Sequence, residues 1–413
     1  MIHRYQKKGL NFVLDVNSGA VHLLDDISYA VSGLLDENMG DTCPQSIIDA
    51  LPDYTADEIR EAYDELYELK KAGQLFAQDD YIDVSRYIPV NAPVKALCLH
   101  VAHDCNLRCK YCFASTGDFG QGRKIMPPEI AKKAIDFVIA RSGVRHNIEV
   151  DFFGGEPLMA WDTVTQTVDY ARSLEEKYNK KFRFTITTNG LLLDEDKRKY
   201  INENMDNCVL SLDGRREVND EFRKTVAGTG SYDTIVPKFK ALVDERDPNL
   251  DYYARGTFTS HNLDFAEDVL SIADAGFDRL SVEPVTADPG CGYDLTEDDL
   301  PKIEAEYDRL TDIMLERKKE GKPFTFFHFM VDLDQGPCVV KRLRGCGAGY
   351  EYVAVTPDGD IYPCHQFVGK DEFKQGSVLD QSFNMDIAQK FAGMNIYSRP
   401  KCQKCWAKFY CSG

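Results

Sequence analysis

The segment CNLRCKYC, residues 105–112, follows the apolar run Val94–Val101 and decides how the whole chain is interpreted. Cys105, Cys109 and Cys112 place three soft thiolate ligands on one short loop. Three thiolates are one fewer than the four irons of an iron–sulfur cube need, so one iron would remain open to another molecule. The spacing therefore predicts a [4Fe–4S] cluster with an open iron, and an open iron indicates chemistry.

Two other interpretations of this loop are a structural zinc site and a buried loop of reduced thiols. Zinc usually takes four nearby Cys or His ligands in C-x2–4-C pairs. His103 is close in sequence, but it lies two residues before Cys105 and is poorly placed to complete a tetrahedron. The cluster is therefore the preferred interpretation.

The spacing C-x3-C-x2-C, the aromatic pair Tyr111 and Phe113, and Gly154-Gly155-Glu156-Pro157 after an apolar strand resemble the radical S-adenosylmethionine (SAM) enzymes. The resemblance implies that the amino and carboxylate groups of SAM chelate the open iron. It also implies that one electron from the cluster splits the sulfonium, giving a 5′-deoxyadenosyl radical that removes a hydrogen atom from the substrate. The cofactor carries this chemistry and the protein positions it.

Composition narrows the class of protein. The chain has 413 residues, enough for two or three domains, and a net charge of −19, which argues against a protein that tracks nucleic-acid phosphates. No long apolar stretch follows the N-terminus, so neither a secretory signal nor a membrane span is predicted. Thirteen cysteines clustered at metal-ligand spacings indicate reduced thiolates and a cytoplasmic location.

Residues 1–85 predict a small separate domain. Asn17-Ser18-Gly19 is a turn signal between two apolar runs, which indicates a hairpin, and Thr55 with Glu58 forms a capping box for a helix that ends at Gly73. Strands followed by short helices are typical of a winged helix. The predicted helix carries acidic side chains that would repel phosphates: Asp57, Glu58, Glu61, Asp64, Glu65 and Glu68.

The acidic helix favours a peptide partner over DNA for this domain. The segment resembles the winged-helix recognition elements of enzymes that modify ribosomally made peptides, which hold the leader of their substrate as an added strand on a sheet edge. A purely structural N-terminal cap is the alternative, because the leader-binding interpretation depends on analogy.

From residue 94 to residue 320 the pattern predicts an α/β fold. Six apolar segments without strict alternation indicate buried parallel strands joined by helices. They are Val94–Val101, Ile148–Phe153, Phe182–Thr188, Cys208–Leu212, Tyr252–Thr259 and Leu280–Val285. Six units fall short of the eight in a closed TIM barrel and match the partial (β/α)6 barrel of the resembled family.

Residues near the C-terminal ends of these strands are the candidate cofactor contacts. Gly154 and Gly155 let the backbone approach a ligand, and the resemblance implies that this backbone accepts from the ammonium of SAM, although a tight strand-to-helix turn would also explain them. Arg255, inside an apolar strand, and Arg223 are rival candidates for the SAM carboxylate. The other candidates are Tyr111, Phe113, Glu156, Pro157, Asn189, Ser211, Asp213 and Glu283.

Three of these candidates have second interpretations. Asn189 and Ser211 could serve ribose or carboxylate, or could cap the helix that follows each strand. Glu283 ends the sixth strand and faces either ribose or substrate.

A second set of cysteines, in a domain predicted over residues 335–413, resembles the SPASM extension of radical SAM peptide maturases. The resemblance implies that Cys346 and Cys364 serve a first auxiliary [4Fe–4S] cluster. It also implies that a second auxiliary cluster is held by Cys402, Cys405 and Cys411. A zinc knuckle is the alternative interpretation of these three cysteines. Cys338 is either an extra ligand of the first cluster or a neighbouring thiol.

The family pattern has further cysteines beyond Cys411, whereas the given sequence ends at Gly413. We therefore expect one or two auxiliary clusters. Either the second is incomplete or the sequence is a fragment.

Taken together, these segments resemble the maturases of SCIFF ("six cysteines in forty-five") peptides. The implied reaction is thioether formation, in which a cysteine sulfur of the peptide bonds to a carbon that has lost a hydrogen atom. An auxiliary cluster with an open iron would hold the thiolate and accept the leftover electron. The implied partners are a Cys-rich precursor peptide and a reducing donor such as flavodoxin or ferredoxin, with neither nucleic acid nor membrane.

Other functions fit parts of the pattern. A sulfatase-maturating or carbon–carbon crosslinking enzyme would share the barrel and the cysteine-rich extension. Outside enzymes, a winged helix with iron–sulfur cysteines would suit a redox-sensing transcription regulator, against which the acidic helix and the SAM-type loops argue.

Overall fold

The computed structural model describes residues 1–88, 91–331 and 338–411. Two compact units are present. One, called here the terminal unit, is formed by the described residues of Met1–Val90, Val331–Gly347 and Ala392–Gly413. Asn91–Met330 and Ala348–Phe391 form the other, called the barrel unit. The cysteine-rich segment predicted as one domain over 335–413 is thus divided between the two.

The terminal unit begins with an antiparallel sheet of order β1-β2-β3, made of β1 (Ile2–Lys7), β2 (Leu10–Asp15) and β3 (Val21–Leu24). The predicted hairpin is confirmed as β2 and β3, with Leu14 opposite Val21. The strand β1 was not predicted, because its sequence IHRYQK has no continuous apolar run.

Three helices follow the sheet: α1 (Asp26–Ser32), α2 (Gln45–Ala50) and α3 (Ala56–Lys71). The predicted capping box is present, since Glu58 N donates to Thr55 Oγ1 at 3.3 Å and Thr55 N donates to Glu58 Oε2 at 2.8 Å. Ile59, Tyr63 and Leu66 of α3 are buried in the core of the unit. Five of the six acidic residues, all except the capping residue Glu58, line a shallow groove on α3 together with Arg60.

Three short helices from later in the chain complete the terminal unit. They are Val339–Arg344, Pro400–Gln403 and Lys408–Cys411. Leu343 and Phe409 pack with Leu14 of β2 in one buried cluster. Lys408 Nζ lies 2.6 Å from the carboxylate of Asp79. The C-terminal cysteine segment therefore folds onto the N-terminal sheet, which periodicity did not indicate.

The barrel unit contains the remaining strands. They are β4 (Ala96–His103), β5 (Lys124–Ile125), β6 (Asn147–Gly154), β7 (Lys181–Thr188), β8 (Asn207–Ser211), β9 (Asp251–Phe258), β10 (Arg279–Pro284), β11 (Thr325–Phe326), β12 (Tyr352–Val355), β13 (Asp360–Tyr362), β14 (Gly376–Ser377) and β15 (Ser382–Phe383). Its longer helices are α4 (Pro128–Arg141), α5 (Trp161–Tyr178), α6 (Glu195–Asn204), α7 (Arg216–Phe222), α8 (Tyr232–Asp244), α9 (Phe265–Asp274) and α10 (Leu300–Lys319), with a further helix at Met385–Ala392.

The sheet of the barrel unit has the order β11-β10-β9-β8-β7-β6-β4-β12-β13-β14-β15. The strands from β11 to β12 are parallel, which confirms the six predicted parallel strands. Within the described residues the sheet ends at β11 and β15, so the barrel is partial. The strand β12 pairs with β4, placing Tyr352 opposite Ala96, a contact that the sequence did not indicate.

Successive side chains along each strand point alternately to the hydrophobic core and to the inner face of the barrel. On β6, Val150 and Phe152 are fully buried, whereas Asp151 between them lies on the other face of the sheet. The parallel strands present their C-terminal ends at one rim, and this rim positions the site described below. None of the helices in the described residues is both long and apolar enough to cross a bilayer.

Candidate functional site

A cavity of about 310 Å³ lies at the C-terminal rim of the parallel strands. Its walls contain all three predicted cluster thiols, Cys105, Cys109 and Cys112. They also contain eleven of the twelve predicted cofactor contacts: Tyr111, Phe113, Gly154, Gly155, Glu156, Pro157, Asn189, Ser211, Arg223, Arg255 and Glu283. Asp213 is the exception. Residues far apart in sequence thus converge on one cavity.

The loop with the three thiols follows β4 directly and is held by hydrogen bonds from its main-chain N–H groups. Cys105 N donates to Asp104 Oδ1 at 2.8 Å. Further along, Arg108 N donates to Lys224 O at 2.7 Å and Lys110 N donates to Phe222 O at 3.0 Å. The loop therefore runs beside residues 222–225, with one strand-like bridge between Leu107 and Thr225.

The three cysteines are half-buried, and desolvation of the thiols of Cys105 and Cys109 affects which state of the sulfur is stable. Burial raises the pKa of the thiols of Cys105 and Cys109 to about 12. A coordinating metal has the opposite effect on the thiol, because a sulfur bound to a metal is deprotonated. Cys105 Sγ accepts a hydrogen bond from Leu107 N at 3.4 Å, an arrangement suited to an anionic cluster sulfur.

The residues fit an iron–sulfur cluster better than a single ion. Among residues 1–88, 91–331 and 338–411, no three His, Cys, Asp or Glu side chains are grouped to hold one metal ion. Zinc needs four ligands at bonding distance. A cube holds its thiolates further apart and needs only the three that line this cavity.

Gly154 and Gly155 are required where β6 meets the cluster loop. Gly154 has φ +134°, and a Cβ there would collide with the carbonyl oxygen of Ala102. A Cβ on Gly155 would collide with the carbonyl oxygen of Asp104 and lie 3.0 Å from that of Gly117. Close approach of two backbones thus accounts for both glycines.

Glu156 joins the ends of two strands. It is 1% exposed and accepts hydrogen bonds from Leu158 N at 3.0 Å, Thr188 Oγ1 at 2.7 Å and Asn189 N at 2.8 Å. Burial raises the pKa of this carboxyl to about 7, although the three donors act in the opposite direction. Its oxygens are therefore engaged within the protein.

Asn189, at the end of β7, binds the cluster loop. Its Nδ2 donates to Asn106 Oδ1 at 2.7 Å and to Cys105 Sγ at 3.6 Å, and its Oδ1 accepts from Leu191 N at 3.0 Å. The last contact belongs to the turn before α6 and does not cap that helix, whose N-cap is Asp194, so the capping role considered from the sequence is wrong for Asn189. The contact with the cluster loop was not predicted.

Asp213 lies behind the cavity wall. It is fully buried and accepts hydrogen bonds from Tyr111 OH at 2.6 Å, Arg223 Nη2 at 3.0 Å and Thr257 N at 3.0 Å. Asp213 therefore orients Tyr111 and Arg223, which line the cavity in its place.

The two candidate arginines differ in their partners. The buried guanidinium of Arg223 is paired with Asp213. Arg255 lines the same cavity, and its side chain makes no hydrogen bond or ion pair to any residue that the structure describes. Because an unpaired guanidinium is available for a bidentate carboxylate contact, the geometry favours Arg255 for that role.

Glu283 belongs to a hydrogen-bonded group of four polar side chains. It accepts from Ser281 Oγ at 2.5 Å and from His328 Nε2 at 2.8 Å, and His328 Nδ1 lies 2.8 Å from Tyr307 OH. Burial raises the pKa of Glu283, but the His328 and Ser281 bonds outweigh it and lower this pKa to about 2. His328 and Tyr307 were missed by the sequence analysis, since neither belongs to a motif.

His365 is a second missed residue of the cavity wall. Its ring stacks on Phe153 with centroids 5.2 Å apart, and burial lowers its pKa to about 4. The available signal was its position directly after Cys364.

The candidate auxiliary ligands lie in both units. Cys364 follows β13 in the barrel unit and is half-buried. The terminal unit contains the other four: Cys346, Cys402, Cys405 and Cys411. Cys338 is exposed and precedes the helix Val339–Arg344, while Gly336 and Pro337 before it, and Gly413, lie outside the described residues.

Comparison with known families supports two domains. The model of the radical SAM superfamily matches residues 99–253, and the model of the SPASM iron–sulfur cluster-binding domain matches residues 346–406.

Two curated relatives cover most of the chain. A cysteine-type anaerobic sulfatase-maturating enzyme of Clostridium novyi (strain NT) is 25% identical over 324 residues, which are 73% of this chain and 82% of the relative. The radical SAM cyclopropyl synthase TigE of Paramaledivibacter caminithermalis is 24% identical over 348 residues, 79% of this chain and 68% of the relative.

Solved structures show the same fold. The structure of native anSMEcpe with bound AdoMet gives a TM-score of 0.62 at 20% identity, over 77% of this chain and 88% of that chain. Streptococcus suis SuiB bound to S-adenosylmethionine gives a TM-score of 0.55 at 17% identity, over 100% of this chain and 93% of that chain.

Proposed function

Since the chain is a radical SAM enzyme that also carries a SPASM domain, we propose that it forms intramolecular thioether crosslinks in a ribosomally made, Cys-rich precursor peptide. The observation that most supports a peptide substrate is the fold likeness to SuiB over the full chain, because a structure of SuiB bound to the precursor peptide SuiA is known. Reduced peptide thiols also favour a cytoplasmic location.

The cofactors follow from the two domains. A radical SAM domain holds a [4Fe–4S] cluster and SAM, and a SPASM domain holds auxiliary iron–sulfur clusters. Cys105, Cys109 and Cys112 are the residues that would hold the first cluster. Together the bound cluster and SAM supply a 5′-deoxyadenosyl radical that removes a hydrogen atom from the peptide.

The residues of the cavity orient what binds there. Arg255 offers a free guanidinium to a carboxylate. Asp213 holds Tyr111 and Arg223, which line the same cavity. Glu283, fixed by His328, presents a carboxylate at the end of β10, where it accepts hydrogen bonds from ribose hydroxyls or from peptide N–H groups.

The terminal unit is the proposed site of the peptide leader. In the sheet β1-β2-β3, both outer strands pair on one side only within the described residues. An extended peptide adds to such an edge by main-chain hydrogen bonds. Cys346, Cys364, Cys402, Cys405 and Cys411 are the proposed auxiliary ligands.

Sulfatase maturation is the second candidate function, supported by the 25% identity to the Clostridium novyi enzyme. A carbon–carbon crosslink is a further product that the same domains allow. The three products differ chemically. A thioether consumes a thiol and leaves no carbonyl, an oxidised cysteine aldehyde reacts with hydrazides, and a carbon–carbon bond leaves every thiol in place.

The test uses anaerobically reconstituted protein with dithionite, SAM and a Cys-rich peptide encoded beside this gene. We expect the peptide to lose two hydrogen atoms and one alkylatable thiol per crosslink, measured by mass spectrometry. Cys109→Ala should abolish 5′-deoxyadenosine formation, whereas Cys208→Ala, in a core strand, should retain it. Unchanged thiol counts alongside SAM cleavage would contradict thioether formation, and a hydrazide-reactive product would favour the sulfatase type.

A further inference from the structure

We propose that the surface formed by Arg108, Lys110, Lys224 and Val226, called here the loop surface, docks a small acidic one-electron carrier protein. This inference rests on the proposed function in one respect, namely that the loop at residues 105–112 holds a cluster that must be reduced. It adds the place where the electron arrives and the chemical character of the protein that brings it.

Strand-like pairing brings the cations of the loop surface together. Leu107 forms an antiparallel bridge with Thr225, and the same register places Arg108 opposite Lys224 and Lys110 opposite Phe222. Residues directly opposite each other in such a pair have their side chains on the same face, which makes Arg108 and Lys224 neighbours. Lys110 lies in the turn that follows, with its Nζ 5.4 Å from the centre of the Phe222 ring.

The cations of the loop surface exceed the carboxylates that neutralise them. Glu221 is paired with Lys110 at 3.4 Å and also contacts His261 at 3.0 Å. Lys224 makes no ion pair or side-chain hydrogen bond to any described residue. Arg108 Nη1 donates to the carbonyl oxygens of Cys105 at 2.5 Å and Leu107 at 2.7 Å, and within residues 1–88, 91–331 and 338–411 it has no carboxylate partner.

The loop surface is positively charged, whereas the chain as a whole is acidic. The sequence has 68 acidic and 49 basic residues, for a net charge of −19. Such a protein repels acidic partners over most of its surface, so a local group of cations directs their approach to one place. Lys110 is adjacent in sequence to the predicted cluster ligand Cys109, so this place lies beside the cluster loop.

The loop surface also has an exposed apolar residue. Val226 is 62% exposed at the turn that follows Lys224, and the Lys110 side chain is 46% exposed above the ring of Phe222. Apolar contact surrounded by charge is the arrangement found in transient interfaces. Electron transfer needs only brief association, which suits a small contact surface of this kind.

The experiment measures binding and electron delivery without any peptide. The probe is an acidic flavodoxin, oxidised for binding and reduced for stopped-flow reduction of the reconstituted cluster. We expect Lys110→Glu and Lys224→Glu each to weaken binding and slow cluster reduction by roughly 5-fold or more, with the wild-type affinity falling as salt rises. In Lys224→Glu, which lies outside the cluster loop, reduction by dithionite and the dithionite-driven cleavage of SAM should stay at wild-type rates.

The matched control is Lys319→Glu, the same charge reversal on an exposed lysine at the end of α10. If flavodoxin binding is unaffected by the two loop-surface variants, or is weakened equally by the control, the docking proposal is wrong. If the variants instead shift the potential of the cluster and alter its reduction by dithionite, the cations serve the cluster itself and the proposal is also wrong. Failure of the thioether proposal would not change these results, because the assay contains no peptide.

Discussion

The side-chain amide of Asn189 lies 3.6 Å from the sulfur of Cys105 and donates a hydrogen bond to it. Glu156 accepts from the backbone N–H of Asn189 at 2.8 Å, so a buried carboxylate holds this amide in place. The ends of β6 and β7 thus meet at one ligand of the cluster loop. The protein has a direct means of adjusting the electronic character of that sulfur.

We expect Asn189→Asp to make the reduction potential of the first cluster more negative. A hydrogen bond to a ligand sulfur stabilises the more anionic, reduced state, and the substitution replaces the donor by an acceptor. The expected shift is on the order of tens of millivolts, as for the loss of one hydrogen bond. A redox titration followed by electron paramagnetic resonance measures it. Asn204→Asp, whose amide donates to Tyr200 O, is the control, and an unchanged potential would refute this role of Asn189.

Gly155→Ala should disrupt the packing of β6 against the cluster loop. The added Cβ has no room beside the carbonyl oxygens of Asp104 and Gly117, so the backbone must shift at a cost of about 1–3 kcal/mol. We expect a lower urea midpoint and fewer irons bound after reconstitution. Gly40→Ala is the control, because a Cβ there meets nothing within 4 Å. Full iron content and unchanged stability in Gly155→Ala would show that the close approach is dispensable.

Asp151 on the inner face of the barrel should make stability depend on pH. Burial, with a contribution from Glu149, raises the pKa of Asp151 from its ordinary 3.8 to about 6. The folded state therefore binds more protons than the unfolded state between about pH 4 and pH 6, and stability falls as the pH rises through that window. Asp151→Asn removes the effect, so above pH 6 the variant should be more stable by at most about 3 kcal/mol.

Urea unfolding of the cluster-free protein at several pH values measures the effect of Asp151. The advantage of Asp151→Asn over wild type should shrink toward zero near pH 4. Asp298→Asn, on an exposed turn, should show no such trend. A constant difference across the range would mean that Asp151 is charged in the folded protein at a normal pKa.

Glu283 and His328 should be energetically coupled. The 2.8 Å bond between them is charge-assisted when Glu283 is ionised, and Glu283 lies on the cavity wall. A double-mutant cycle with Glu283→Gln and His328→Phe should give an interaction free energy of about 1–2 kcal/mol at pH 7, measured by urea unfolding. Pairing Glu283→Gln with Tyr170→Phe should give additive effects, because Tyr170 bonds to Asp136 instead. Additivity in the first cycle would contradict the coupling.

Much of the fold could be predicted because its elements are locally encoded. The buried parallel strands read as apolar runs, and the helix α3 carries its own capping box at Thr55 and Glu58. The strand β1 was not predicted, because it lies at the edge of its sheet and has polar side chains. The pairing of β12 with β4 escaped notice because strand order depends on contacts between segments about 250 residues apart.

The same distinction separates the predicted site residues from the missed ones. Motif residues such as Cys105 and Gly155 are recognisable because their roles need a particular spacing or an absent side chain. His328, Tyr307 and His365 have no such requirement, and they reach Glu283 or the cavity wall only through the course of the folded chain.

The amino-acid sequence by itself determined the three-thiol loop, the six parallel strands and the glycines at the strand end, since spacing and side-chain size are properties of a local segment. The tertiary structure alone decided that Asp213 stands behind the cavity wall, that Arg255 is left unpaired among the described residues, and that the last cysteines pack in the unit of the first strands. These outcomes depend on which residues, distant in sequence, are brought together in the folded protein. The burial of a charged side chain and its hydrogen-bond partners, rather than its residue type, determine whether it is paired within the protein or available to a ligand.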